Sequence, residues 1–207
     1  EGLLKHLDVC MKYDFQAAMI APCYISLAKD VLKGTGIQVA STLNFPQAND
    51  TLDMKLAALK EMIKTGVDQF DFPPNPGLLI GGEEKAYFEE MKQIVEVAHA
   101  SGVIVKSMLE FGFLNEEQKK KAAQLACEAG IDWVKQSSGW GVGGCAATVE
   151  DVKILKENIS LPCRVKVSGK VNSLEKMKMM FEAGAELVGT SSGPEIIEGL
   201  IGDPNAY

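Results

Sequence analysis

Ala129-Gly130-Ile131-Asp132-Trp133-Val134-Lys135-Gln136-Ser137-Ser138-Gly139 runs from a helix stop through a short apolar strand into a loop of small residues. Glycine suits the position just past a helix end, where the backbone turns left-handed. Residues 131–137 read as a strand. The Ser138-Gly139 that follows offers backbone N–H groups able to approach an anion closely. Lys135, in the middle of that strand, is on its own most simply a side chain whose stem packs while its amine reaches water.

The phrase recurs. Thr65-Gly66-Val67-Asp68 and Ala183-Gly184-Ala185-Glu186 repeat it, and Thr35-Gly36-Ile37 and Ser101-Gly102-Val103 are looser copies. Helical spacing fills the gaps: Leu3, Leu7, Cys10 and Met11; then Leu52, Leu56, Leu59 and Ile63 after a cap at Asn49 or Asp50; then Tyr87, Met91, Ile94, Val95 and Ala98. Later helices start at Asn115, at Thr148 with Asp151 in a capping-box arrangement, and at Ser173; Pro194 suits the first position of a last one. The run Lys119-Lys120-Lys121 reads as a solvated helix face. Strands are expected over 15–22, 37–43, 67–72, 103–109, 131–137, 163–167 and 186–190. Pro73-Pro74-Asn75-Pro76-Gly77 cannot continue a ladder. Strands alternating with helices predict a parallel sheet. No Gly-x-Gly-x-x-Gly or Walker loop follows the first strand, which weighs against dinucleotide or NTP binding. The expected architecture is a single α/β domain over residues 1–207, a (β/α)8 TIM barrel whose first strand is unaccounted for.

Bulk properties narrow the function. A net charge of −7 opposes a nucleic-acid or membrane-surface role, since both need a basic face. No apolar run reaches the roughly 20 residues of a membrane span, and no signal peptide is visible. The five cysteines are scattered without a Cys-x-x-Cys pair, which predicts free thiols and a cytoplasmic location. With only His6 and His99 present, His-dependent triads and multi-His metal sites are disfavoured.

In a parallel barrel the active site lies at the C-terminal strand ends. There the sequence puts Asn44, Asp71, Lys106, Glu110, Lys135, Lys166 and Ser191-Ser192. A buried ammonium costs several kcal/mol unless paired, and two on adjacent strands raise each other's cost. If Lys135 and Lys166 both face inward, one should lose its proton. A free lysine titrates near 10.4, so a neutral amine at pH 7 requires about 4 kcal/mol of differential interaction. The product is a nucleophilic amine suited to Schiff-base chemistry, with Asp71 able to relay protons through water. The bland alternative pairs each lysine with a carboxylate. Ser138-Gly139, Ser168-Gly169 and Ser191-Ser192-Gly193 follow three late strands. Each is ordinary turn chemistry alone; in register they suggest a phosphate site.

Val134-Lys135-Gln136-Ser137-Ser138-Gly139, Val165-Lys166-Val167-Ser168-Gly169 and Gly189-Thr190-Ser191-Ser192-Gly193 resemble the late-strand motifs of deoxyribose-phosphate aldolases. Asn44-Phe45-Pro46, Asp68-Gln69-Phe70-Asp71 and the stretch from Val105-Lys106 to Phe111-Gly112 agree, so the likeness runs from about residue 13 to 200. It implies a class I barrel aldolase needing no metal or other cofactor. By the resemblance, Lys135 would form the Schiff base with acetaldehyde, Lys166 would depress its pKa, and Asp71 would join the proton relay. Gly139, Ser168, Gly169, Ser191 and Ser192 would surround the substrate phosphate, with Lys106 counted among the substrate-binding groups. The implied reaction is reversible cleavage of 2-deoxyribose 5-phosphate to glyceraldehyde 3-phosphate and acetaldehyde. The only partner implied is a small phosphorylated sugar, with no nucleic acid and no membrane. Lys170 and Asn172 stand where the family has Gly and Arg, Gln136 where Thr is usual, and Trp140 adds bulk beside the phosphate loop. These departures motivate a related aldolase of another phosphorylated sugar. The family's first strand has no counterpart ahead of Leu3, which motivates a catalytically silent sugar-phosphate-binding barrel. An edge left open there would favour a homo-oligomer.

Overall fold

Three helix-stop phrases close in the same way. The N–H of Val67, Ile131 and Ala185 each reaches the carbonyl five residues back, at 3.2, 3.1 and 3.0 Å. The intervening glycines have φ of 97°, 88° and 115°, a backbone that L side chains rarely adopt. The acids that end two of the phrases then serve the sheet. Asp68 accepts the N–H of Val39 at 2.7 Å, and Asp132 that of Val105 at 2.8 Å. Each carboxylate thereby satisfies a backbone donor where the neighbouring strand begins.

The computed structural model describes residues 1–203. In chain order these form α1 (Gly2–Lys12), β1 (Ala17–Met19), α2 (Ile25–Val31), β2 (Gln38–Thr42), α3 (Leu52–Lys64) and β3 (Gln69–Phe72). There follow α4 (Pro76–Ile80), α5 (Glu84–His99), β4 (Ile104–Met108), α6 (Glu116–Glu128) and β5 (Trp133–Lys135). The chain continues with α7 (Val149–Glu157), β6 (Arg164–Ser168), α8 (Leu174–Ala183), β7 (Leu187–Gly189) and α9 (Gly193–Ile197). Short 3-10 turns cover Pro22–Tyr24 and Phe111–Phe113. All seven strands are parallel and pair in sequential order. Strands three apart in a flat sheet would lie about 14 Å apart. Here Asp71 of β3 touches Lys166 of β6 at 2.6 Å, so the sheet is curled into a TIM-barrel-like half-barrel. The Tyr13 hydroxyl donates to Glu198, and Phe15 packs on Gly193, tying the approach to β1 to α9.

The two faces of the sheet differ. Val39, Phe70, Phe72, Val105, Val134, Val165 and Val167 are fully buried and face the helices. Alternate positions turn Gln69, Asp71, Lys106, Lys135 and Lys166 into the barrel. Barrel interiors are ordinarily filled by branched apolar side chains, so a polar interior marks this end of the sheet.

One local expectation is extended and two are corrected. The Pro-rich stretch after β3 opens a helix, because Asn75 accepts the Gly77 N–H at 3.0 Å and Pro76 needs no N–H there. α3 is capped by Thr51; Asp50 is taken up by the Asn44 side chain. In the basic run, Lys119 is no solvated side chain: it pairs with the buried Asp151 at 3.0 Å. Among the described residues no helix is long and apolar enough to cross a membrane.

Candidate active site

Asp71 is the centre. β3 turns it inward two residues after Gln69, and its carboxylate has no exposure. One oxygen, Oδ2, meets Lys166 Nζ at 2.6 Å and Lys135 Nζ at 3.0 Å. The other, Oδ1, lies 3.8 Å from Lys106 Nζ and has no hydrogen bond among the described residues. Register explains the convergence: Asp71 pairs with Lys106 across β3 and β4, and Lys135 with Lys166 across β5 and β6. Gly189 completes the wall, since a Cβ there would stand 3.2 Å from the Lys166 stem.

Three amines share one carboxylate. Burial opposes ionisation of Asp71, but Lys166, Lys135 and Lys106 together outweigh it and hold the carboxyl well below the usual range. Lys106 responds in the opposite sense. Its burial, helped by Lys166 and Lys135, exceeds the attraction of Asp71 and Asp132 and draws it down to about 7. An amine that loses its proton near neutrality is a usable base or nucleophile.

The three small-residue loops are contiguous. Gln136 Nε2 donates to the Ser168 carbonyl at 2.5 Å, and the Ser168 hydroxyl donates to the Ser137 carbonyl at 3.2 Å. The Ser137 hydroxyl accepts the N–H groups of Gly139 and Cys145, both at 2.9 Å, which curls the loop after β5. That loop seats on Gly169, where φ is 97° and a Cβ would meet the Cys145 carbonyl at 2.7 Å. Thr190 joins the third loop to the second through the Val171 carbonyl, at 2.7 Å, and accepts the Ser192 N–H at 3.0 Å. Ser191 is exposed, whereas Ser192 is buried against Gly202, whose N–H reaches the Asn172 carbonyl at 2.8 Å.

Lys135, Lys166 and Asp71 thus form one cluster, and Gly139, Ser168, Gly169, Ser191 and Ser192 line adjoining loops. Lys106, grouped by sequence with the substrate-binding residues, ends within the Asp71 cluster, where its amine donates to Gln69. Gln69 is absent from the strand-end residues that the sequence singles out, and Glu110 stands among them without an assigned role. Gln69 shares a strand face with Asp71, a period-two signal that could have found it. Glu110 is buried in a left-handed conformation and accepts the Ser138 N–H, bracing the loop after Lys135; burial pushes its carboxyl up. No group of three His, Cys, Asp or Glu gathers among the described residues.

No protein-family model matches the chain. Individual relatives do. Deoxyribose-phosphate aldolase of Staphylococcus carnosus is 40% identical over 200 residues, 96% of this chain and 89% of that protein. The enzyme of the same name from Thermococcus kodakarensis is 38% identical over 201 residues, with the same coverage of each. The chain belongs to the deoxyribose-phosphate aldolase family. The fold agrees: the tetrameric deoxyribose phosphate aldolase of Aeropyrum pernix superposes with a TM-score of 0.84 at 25% identity, over 93% of this chain and 80% of that one. As a deoxyribose-phosphate aldolase family member, the chain belongs among the lyases that act on aldehydes.

Proposed function

We propose that this chain cleaves 2-deoxyribose 5-phosphate reversibly to glyceraldehyde 3-phosphate and acetaldehyde through a Schiff base on Lys135. The observation that carries the proposal is the sharing of Asp71 Oδ2 by the Lys135 and Lys166 amines, at 3.0 and 2.6 Å. The neutral Lys135 amine adds to the aldehyde carbon of the open-chain sugar, and loss of water leaves an iminium. Removal of the β-hydroxyl proton breaks the bond between the α and β carbons. The electron pair flows into the iminium, giving an enamine and glyceraldehyde 3-phosphate. Protonation at the α carbon and addition of water then release acetaldehyde and restore the amine. Asp71 Oδ2 lies 3.0 Å from the nitrogen that changes charge and 2.6 Å from Lys166, a bridge through which a proton can pass between them.

The phosphate is assigned to the loops carrying Gly139, Ser168, Gly169, Ser191 and Ser192, where N–H groups and hydroxyls adjoin. Lys170, left-handed at φ 59° directly after Gly169, favours a second reading in which another phosphorylated sugar is taken. A homo-oligomer working in the cytoplasm is the accompanying proposal, supported by the tetrameric relative.

Incubation with acetaldehyde, reduction with borohydride and peptide mass mapping test the mechanism. An adduct on Lys135 is expected. An adduct on Lys166 reverses the roles, and none on either refutes the Schiff base. Turnover of deoxyribose 5-phosphate against other sugar phosphates decides the substrate, and affinity without turnover would leave a silent binder.

A further inference from the structure

Lys106 is the amine whose hydrogen-bond partner carries no charge. Its side chain is 2% exposed, and its nitrogen donates to the amide oxygen of Gln69, which is itself buried. Gln69 cannot turn its other end toward Lys106, because an ammonium has only donors to offer. That other end, Nε2, is committed to Gln38 Oε1 of β2 at 2.5 Å. The Gln38–Gln69–Lys106 chain therefore has one sense and ends 3.8 Å from Asp71 Oδ1, the carboxylate oxygen without a hydrogen bond among the described residues.

The groups facing Lys106 are few. Asp71 and Gln69 come from β3, Lys135 from β5 and Lys166 from β6; Asp132, before β5, acts from further off and is held by Val105 and His99. A carboxylate in place of Gln69 would hold the Lys106 proton permanently. An amide oxygen accepts an N–H from the charged and the neutral amine alike.

We propose that Gln69 is a positioning residue that keeps Lys106 an exchangeable proton store for the site, loaded or empty without any rearrangement. Empty, Lys106 leaves Asp71 to the Lys135 and Lys166 amines. Loaded, it adds a positive charge with no carboxylate of its own, since Asp71 is shared, and this disfavours the positively charged iminium on Lys135. The inference rests on the aldolase reading of the cluster and deepens it. The depression of Lys106 to about 7 agrees with an amine that changes state in the working range.

The test uses Gln69→Glu and Gln69→Met in the full chain, with two readouts. In the wild type, kcat/KM for cleavage should rise about tenfold from pH 6 to 8, as expected for one essential group titrating near 7. Gln69→Glu supplies a counterion and should abolish that rise; Gln69→Met removes the acceptor and should displace it toward lower pH. Independently, [ε-13C]lysine NMR, with the Lys106 signal assigned by its loss in Lys106→Met, should show titration near neutrality in the wild type and above about pH 9 in Gln69→Glu. A Lys106 signal that titrates alike in wild type and Gln69→Glu overturns the inference. So do variants that lose rate equally at every pH, the signature of a merely structural residue. Failure of borohydride trapping at Lys135 would refute the aldolase reading while leaving the NMR result intact; normal trapping with an unmoved titration refutes this inference alone.

Discussion

Replacing Lys106 by Met should make the fold more stable. The wild-type amine holds its proton with a value of about 7 in the folded chain, against about 10.4 when unfolded. Between these values the unfolded state binds more protons, so stability rises with pH across that window. The penalty is fully present below pH 7 and gone by about pH 10.4. At about 1.36 kcal/mol for each pH unit of difference, it amounts to about 4–5 kcal/mol at its largest. Met keeps most of the stem and its packing and removes that cost. Against this stands the Gln69 amide oxygen, left without its donor, at about 1–3 kcal/mol. The net expectation is a stabilisation of about 2 kcal/mol at pH 7, read from urea unfolding. It should shrink steadily toward pH 10. A Lys106→Met protein less stable than wild type at pH 7, or a difference unchanged between pH 7 and 10, would refute the electrostatic account of the cluster. Activity should fall in the same variant, as expected where a polar interior is kept for function rather than stability.

Asp71→Asn should act in the other direction, destabilising by about 3–5 kcal/mol at pH 7 because the buried amines around it lose the one carboxylate they share. Since the Asp71 carboxyl is held below its usual range, its contribution is present above about pH 4 and is lost as acid titrates it, so the difference from wild type should narrow in acid denaturation. Glu110→Ala frees the buried Ser138 N–H and should raise KM for the phosphorylated substrate about tenfold, with kcat changed much less, in steady-state kinetics. Gly169→Ala adds a Cβ that would meet the Cys145 carbonyl at 2.7 Å on a left-handed backbone; it should lower Tm and raise KM for deoxyribose 5-phosphate more than for unphosphorylated deoxyribose.

The helix-stop phrases were legible because each is a local pattern with a local cause: glycine turns the chain and the next N–H returns five residues. Lys135 and Lys166 were legible as a pair because charge repeated inside neighbouring strands is costly and needs a partner or a lost proton. Gln69 was not, and of Glu110 only its place at the strand end was, for different reasons. Gln69 carries no charge, and its importance comes from its partner Lys106, 37 positions away. Glu110 sits at a strand end where an exposed carboxylate would be unremarkable; only the fold buries it against Ser138. The start of α4 was hidden for a third reason, since three prolines within four positions read as a broken ladder although Pro76 at a helix start loses nothing.

Backbone conformation locates the site without reference to any motif. Among the described residues, Asp14, Asn44, Ala48, Glu110 and Lys170 are the non-glycine residues with positive φ. Asp14 precedes β1. The other four lie in the loops leaving β2, β4 and β6, all at the C-terminal edge of the sheet. A left-handed backbone costs such residues of order 1 kcal/mol or more and persists where the surroundings over-determine it. Here the surroundings are visible: Asn44 is held by Asp50, Ala48 by Lys55 through its carbonyl at 2.8 Å, and Glu110 by the Ser138 N–H. Lys55 can do this because its buried amine also pairs with Glu90 at 2.9 Å, and Glu90 in turn accepts the Asn75 N–H at 2.9 Å. One ion pair behind the sheet therefore fixes the loops leaving both β2 and β3, beside the edge where Asp71 gathers its lysines. Strain at one rim and a polar interior at the same rim are two independent marks of where this fold gives up stability, and they coincide.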